Sequence, residues 1–339
     1  MDKKFNENSR LFSVRHCKEF KSFKKYVVNP RRRYFKIQFR SIGYLKKIYP
    51  LNVDSTVDAL NEMKRRASSG QKLYCPLKRK DTGIYPFLIG RNRPFVLLLP
   101  GGAYGEVCSL VEGFNTAIWL NERGYNVFIG QYGTRKNAHY PNPQNDAAEM
   151  FKFIFAHAEE MRVDIKNYAV CGFSAGGHLA ASWGTKALGY AKYNLPKPEM
   201  IMLGYPVVTM GEKSHAGSRE NLLGEDCDNE ELRNAYSVEK QIDGDYPPTF
   251  VWQCERDKTV PIENSRMLVE ALKENGCRFE YVTVDGDAHG WGLGVGTEAE
   301  GWIEKAVGMW EDVRRGNSNQ TIDLLKAKWY HKFNEIRMV

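Results

Sequence analysis

Gly172-Phe173-Ser174-Ala175-Gly176 places a serine between two glycines. A short apolar run, Tyr168 to Cys171, precedes it, and Ala175, Gly176, Gly177, Leu179, Ala180 and Ala181 follow. The order reads as strand, sharp turn and helix, the context in which a serine hydroxyl is exposed on a strained turn and can attack an electrophilic carbon. The helix start would aim its free N–H groups at negative charge developing beside Ser174. The competing reading is a glycine-rich turn that does no chemistry.

A serine nucleophile needs a base, the base an orienting acid, and the oxyanion hydrogen-bond donors. The base is expected at His289, in the glycine-rich stretch 285–292 after the alternating strand Phe279 to Val284. Of the other histidines, His178 sits just past the turn and reads as packing or a local hydrogen bond. His139 and His215 lie in loops that could border a pocket, His157 on a helix, and His16 and His331 in terminal segments. The acid is expected at Asp257, just past a buried strand, Pro248 to Cys254, on the rim where open α/β sheets place their sites. Glu255 is its rival, and an ordinary turn residue is the plain alternative for Asp257. The donors are expected from the N–H groups of Gly102, Ala103 and Ala175, because the apolar strand ending at Leu99 breaks into Pro100-Gly101-Gly102-Ala103.

The elements that must hold these residues alternate. Strands are expected at 72–77, 85–89, 96–99, 125–129, 168–171, 200–203, 248–254 and 279–284. The first two read as an antiparallel lead. Helices are expected from Asp54, over 116–122, over 145–160 and over 266–274. Alternation of this kind predicts an α/β fold, a mostly parallel sheet with helices on both faces. A polar stretch at 209–246 interrupts it and reads as a small lid-like insertion or a passive excursion. A helical pattern at 321–338 would pack on the body or form a dimer contact. The organisation expected is a basic N-terminal extension (1–70), a main domain (71–312) and a C-terminal helical extension (313–339).

Together these residues resemble the α/β-hydrolase esterases of the bacterial esterase/lipase group related to hormone-sensitive lipase, in their acetyl-xylan-esterase-like subset. The match rests on Pro100 to Tyr104, on Tyr140-Pro141-Asn142-Pro143 with Asp146, and on Gly172 to His178. It also rests on Pro247-Pro248-Thr249, on Asp257 with Val260-Pro261, and on His289-Gly290. It covers about residues 70–312. Many relatives carry histidine where this chain has Pro100, whose fixed φ would hold the loop by stiffness. The resemblance implies the α/β-hydrolase fold, an acyl-enzyme mechanism without metal or organic cofactor, and short acyl esters, acetyl groups on carbohydrate among them. An amide hydrolase, a peptidase and a non-catalytic binding protein are the alternatives. Tyr104, Tyr132, Tyr140, Tyr205 and Trp291 are candidate pocket walls; aromatic rings suit sugar faces and acyl chains alike.

Composition agrees with a globular enzyme. The chain has 339 residues, 42% apolar and 27% charged. Its longest apolar runs are of strand length, and the first residues lack the apolar core of a secretion signal. Seven cysteines without paired spacing point to reduced thiols and a cytoplasmic location. No histidine pair has metal-ligand spacing, so no metal site is expected. Residues 1–50 hold 15 Lys and Arg against 3 Asp and Glu, a net of +12, which leaves about −4 for the rest of a +8 chain. Interleaved Phe20, Phe23, Tyr34, Phe35 and Phe39 favour an extension whose aromatics pack on the body and whose charges are solvated. An acidic surface is a weaker reading. Nucleic acid is the weakest, since no recognition motif supports it.

Overall fold

A computed structural model describes residues 4–27 and 37–316. Eight strands form one sheet: β1 (Cys75–Pro76), β2 (Gly83–Phe87), β3 (Arg93–Leu99), β4 (Asn126–Gln131), β5 (Val163–Phe173), β6 (Met200–Gly204), β7 (Thr249–Cys254) and β8 (Phe279–Val284). Their spatial order is β1-β2-β4-β3-β5-β6-β7-β8. β1, β2 and β4 pair antiparallel, and all pairings from β4 to β8 are parallel.

The central strands are apolar on both faces because both faces are covered. Val96 and Leu98 point with Ala169, Cys171 and Phe173 into one core. Leu97 and Leu99 point with Tyr168 and Val170 into the other. The helices Val53–Ser68, Phe114–Glu122 and 302–316 cover the first face. Asn142–Ala156, Ser174–Trp183 and Glu263–Glu274 cover the second. β8 is half-exposed along its length, as an edge strand should be.

Element ends moved in several places. β1 is two residues long, because only Cys75 and Pro76 pair with β2. The first long helix starts at Val53, one residue before the expected start, because the Asn52 side chain accepts from Ser55 N–H and caps it. A π-turn, Ser109–Gly113, precedes Phe114–Glu122.

The described part of the N-terminal extension shares the first core. Phe20 and Phe23 are buried, and the Phe23 ring meets Tyr85 edge-on with centroids 5.4 Å apart. Burying a side chain of this size contributes about 1.5–3 kcal/mol. Residues 31–36 and the expected C-terminal helix at 321–338 lie outside the described residues. No helix among the described residues is long and apolar enough to cross a membrane.

Candidate active site

β5 runs directly into the helix Ser174–Trp183, and Ser174 holds the turn at φ +52°. A non-glycine residue there is strained, and packing must hold it. The packing is close. A Cβ on Gly176 would lie 2.1 Å from the Leu99 carbonyl oxygen, so the end of β3 rests directly on the start of the helix.

Ser174 Oγ donates to His289 Nε2 at 2.8 Å, and His289 Nδ1–H donates to Asp257 Oδ2 at 2.7 Å. The direction follows because the carboxylate can only accept, which leaves the Nε2 lone pair facing the serine. The Asp257 side chain is fully buried and that of His289 is 14% exposed. Asp257 Oδ1 accepts from Thr259 N–H at 2.8 Å and Val260 N–H at 3.0 Å. The turn-forming and acid positions are therefore the same residue. Glu255 faces away and hydrogen-bonds Thr283 on β8. A hydroxyl in this line can lose its proton to the imidazole as it attacks a carbonyl.

The loop after β3 is oriented through its carbonyls. Gly101 C=O accepts from Cys108 N–H, Gly102 C=O from Gly105 and Glu106 N–H, and Tyr104 C=O from Arg135 N–H. Asn221 Nδ2 donates to Ala103 C=O at 2.9 Å. In a trans peptide the N–H points opposite to the C=O. With the carbonyls of Gly101 and Gly102 tied down on one side, the N–H groups of Gly102 and Ala103 face the other, without partners among the described residues. Gly102, Ala103 and Tyr104 all have positive φ, at +126°, +55° and +56°. Ala175 follows Ser174 at the helix start, where N–H groups have no intrahelical acceptor.

The expected pocket walls divide. Tyr104 and Tyr132 are fully buried and are not walls. Both phenols satisfy buried polar atoms instead: Tyr104 donates to His178 Nδ1 and Tyr132 to the Pro100 carbonyl. Such phenols face inward because burial requires a partner for each O–H. Tyr205 is 1% exposed, and its ring meets His289 edge-on with centroids 4.7 Å apart. Tyr140 is half-buried and donates to Asp226. Trp291, also half-buried, stacks on Trp252. A small cleft of about 60 Å³ lies between the extension (Leu11, Tyr26, Leu45, Tyr49) and Val107, Leu110 and Val111.

Three residues support the site: His178 fills the packing and hydrogen-bonding place expected of it, whereas Asn221 and Glu112 escaped the sequence reading. His178 is fully buried, and its Nε2–H donates to the Tyr236 carbonyl at 2.8 Å. Burial holds it in the neutral form, with its pKa lowered to about 4. Asn221 lies in the helix Ala216–Leu223 of the insertion. Glu112 is buried in the π-turn, and burial raises its carboxyl above the ordinary range. A polar side chain inside an otherwise apolar helix face was the available signal for His178 and Glu112. No group of three or more His, Cys, Asp or Glu among the described residues could hold a metal ion.

A family model described as BD-FAE matches residues 85–272. The chain is 33% identical over 233 residues to the endo-1,4-beta-xylanase B of Butyrivibrio fibrisolvens, covering 66% of this chain and 36% of that protein. It is 26% identical over 216 residues to the acetylxylan esterase of Xylanibacter ruminicola, covering 62% and 44%. The chain thus spans less than half the length of these two relatives. Among solved structures, the acetyl ester-xyloside bifunctional hydrolase of Caldicellulosiruptor lactoaceticus matches with a TM-score of 0.62 and 29% identity, covering 68% of this chain and 88% of that one.

Proposed function

This chain belongs to the BD-FAE family, an α/β-hydrolase esterase family, and from that premise we propose that it is a serine hydrolase of short acyl esters, acetylated carbohydrate among them. The observation that carries the proposal is the hydrogen-bonded line from Ser174 through His289 to Asp257, at 2.8 and 2.7 Å. The acetyl part of the reading is supported by its similarity to an acetylxylan esterase and to an acetyl ester-xyloside bifunctional hydrolase.

In this mechanism His289 takes the Ser174 proton as the oxygen attacks the ester carbonyl. Asp257 holds the imidazole in the required tautomer and stabilises its cationic form. The N–H groups of Gly102, Ala103 and Ala175 receive the tetrahedral oxyanion, and their fixed orientation means little reorganisation is needed as charge develops. His289 returns the proton to the leaving alcohol, and water, activated the same way, cleaves the acyl-enzyme. The insertion at 209–246 acts as a brace for the donor loop through Asn221, more than as a swinging lid. The seven cysteines, none of them paired, support a reducing, cytoplasmic setting.

The test is hydrolysis of nitrophenyl esters from acetate to decanoate, followed by acetylated xylo-oligosaccharides. Activity should fall with acyl length, and Ser174→Ala should lower kcat by about 10⁴-fold or more. Wild-type turnover in the Ser174→Ala protein would refute the assignment.

A further inference from the structure

The donor loop and the histidine loop come from opposite ends of the domain, yet one buried carboxyl group touches the supports of both. Glu112 lies in the π-turn Ser109–Gly113, a local widening that lets a side chain leave the regular helix face. It is 4% exposed. Its Oε2 accepts from Gly101 N–H at 2.6 Å, and its Oε1 accepts the Tyr205 phenol proton at 2.9 Å. The Tyr205 oxygen in turn accepts from Gly292 N–H at 2.9 Å, three residues past His289. The Tyr205 ring packs edge-on against His289 itself.

We infer that Glu112 is a positioning residue that sets the oxyanion loop and the His289 loop in register, through Gly101 on one side and Tyr205 and Gly292 on the other. The inference rests on the esterase reading above. Its physical basis is the peptide that carries the first donor. Gly101 is held at its N–H by Glu112 and at its C=O by Cys108 N–H, 3.0 Å away. Glu112 thus fixes the Pro100–Gly101 peptide and Cys108 the Gly101–Gly102 peptide, so both planes flanking the Gly101 Cα are held and Gly102 N–H keeps its direction. The second hold is on the base. Tyr205 can press its ring on His289 only while its hydroxyl is anchored at both ends, accepting from Gly292 and donating to Glu112.

A carboxylate suits this place because both of its neighbours donate. Glutamine has the same size but only one accepting oxygen. If that oxygen meets Gly101 N–H, the amide NH₂ faces Tyr205, whose own proton then loses its acceptor. Glu112→Gln thus breaks one arm of the bridge without opening a cavity.

The experiment compares wild type, Glu112→Gln and Tyr205→Phe in two readouts. The first is kcat and KM on nitrophenyl acetate. The second is the rate of Ser174 labelling by a fluorophosphonate, which needs the nucleophile, base and donors but no knowledge of the natural substrate. Glu112→Gln should lower kcat and the labelling rate by about 10–100-fold, with KM within about twofold of wild type, as expected for an interaction felt in the transition state alone. Tyr205→Phe should show the same split, and the double variant should lose little beyond the worse single one, since both cut one bridge. Wild-type rates in Glu112→Gln would overturn the inference, as would equal loss in KM and kcat. If Glu112→Gln fails to fold, Tyr205→Phe decides: wild-type kcat and labelling in that protein would overturn it. If the wild type turns over no ester, the esterase reading fails by itself, and the labelling rates alone decide the role of Glu112.

Discussion

Lowering the pH should unlatch His178 and cost the fold a calculable amount. The imidazole is fully buried, with Nε2–H on the Tyr236 carbonyl and Nδ1 accepting from Tyr104. A second ring proton would have to sit on Nδ1, where it would displace the Tyr104 hydroxyl proton from that contact. Burial lowers the pKa from 6.5 to about 4. A depressed value means that the folded protein prefers the neutral ring, so the associated stability is complete above pH 6.5 and is lost as pH falls toward 4. From that difference, the loss relative to neutral pH is about 2 kcal/mol at pH 5 and about 3 kcal/mol at pH 4. The assay is urea denaturation of wild type and His178→Gln at pH 7, 6, 5 and 4. Most other titrating groups cancel in the difference between the two proteins. That difference should shrink by about 2 kcal/mol between pH 7 and pH 5. Parallel stability curves across this range would refute the reasoning. Because Tyr104 adjoins Ala103, the same protonation should loosen the donor loop, and activity should fall with the stability difference.

Two further outcomes are expected. Gly101→Ala puts a Cβ 2.8 Å from Ser174 Cβ and 3.0 Å from the Phe173 carbonyl oxygen. It should lower kcat by about 10²-fold or more while far-ultraviolet circular dichroism stays native, since the crowding falls on the nucleophile and its donors; a change within twofold would contradict the packing described. Arg79→Ala should destabilise the protein by about 3–5 kcal/mol in urea, because it strands a buried carboxylate. Asp146 is 2% exposed and accepts from Arg79 Nε and Nη2 at 2.7 Å and from Gly133 N–H at 2.8 Å. A loss below 1 kcal/mol would show that Asp146 is held mainly by Gly133.

The three side chains that the structure brings into one hydrogen-bonded line were legible because each is announced locally. Ser174, Asp257 and His289 each follow a recognisable strand, and a serine between close glycines, an acid past a buried strand and a histidine in a glycine-rich loop are unusual combinations. The sheet was legible for a related reason: β3 to β7 are dense apolar runs, and only covered strands tolerate that on both faces. Short β1 was overcalled, since residues 72–77 have strand composition but only two of them find a partner in β2. Tyr104 and Tyr132 were misread because position near the rim does not say whether a phenol faces solvent or a buried acceptor.

What stayed hidden is the support, and the hiding has one physical cause. Glu112 finds Tyr205 93 residues away, Asn221 finds Ala103 at 118, and His178 finds Tyr236 at 58. Each polar group looks ordinary until its partner is known, and no periodicity encodes a partner. Yet these are the contacts that fix peptide planes. A nucleophile and its base need only the right residue types at the ends of the right strands, whereas an oxyanion site needs N–H vectors aimed before the substrate arrives. Those vectors follow from where the carbonyls of the same peptides are tied: Cys108 N–H, beside the π-turn, holds Gly101 C=O, and Gly105 and Glu106 N–H hold Gly102 C=O, while Asn221 and Arg135 hold the two peptides that follow. A site of this design should therefore tolerate change at its exposed rim far better than at Glu112, His178 or Asn221, although none of the three lies in the line from Ser174 to Asp257.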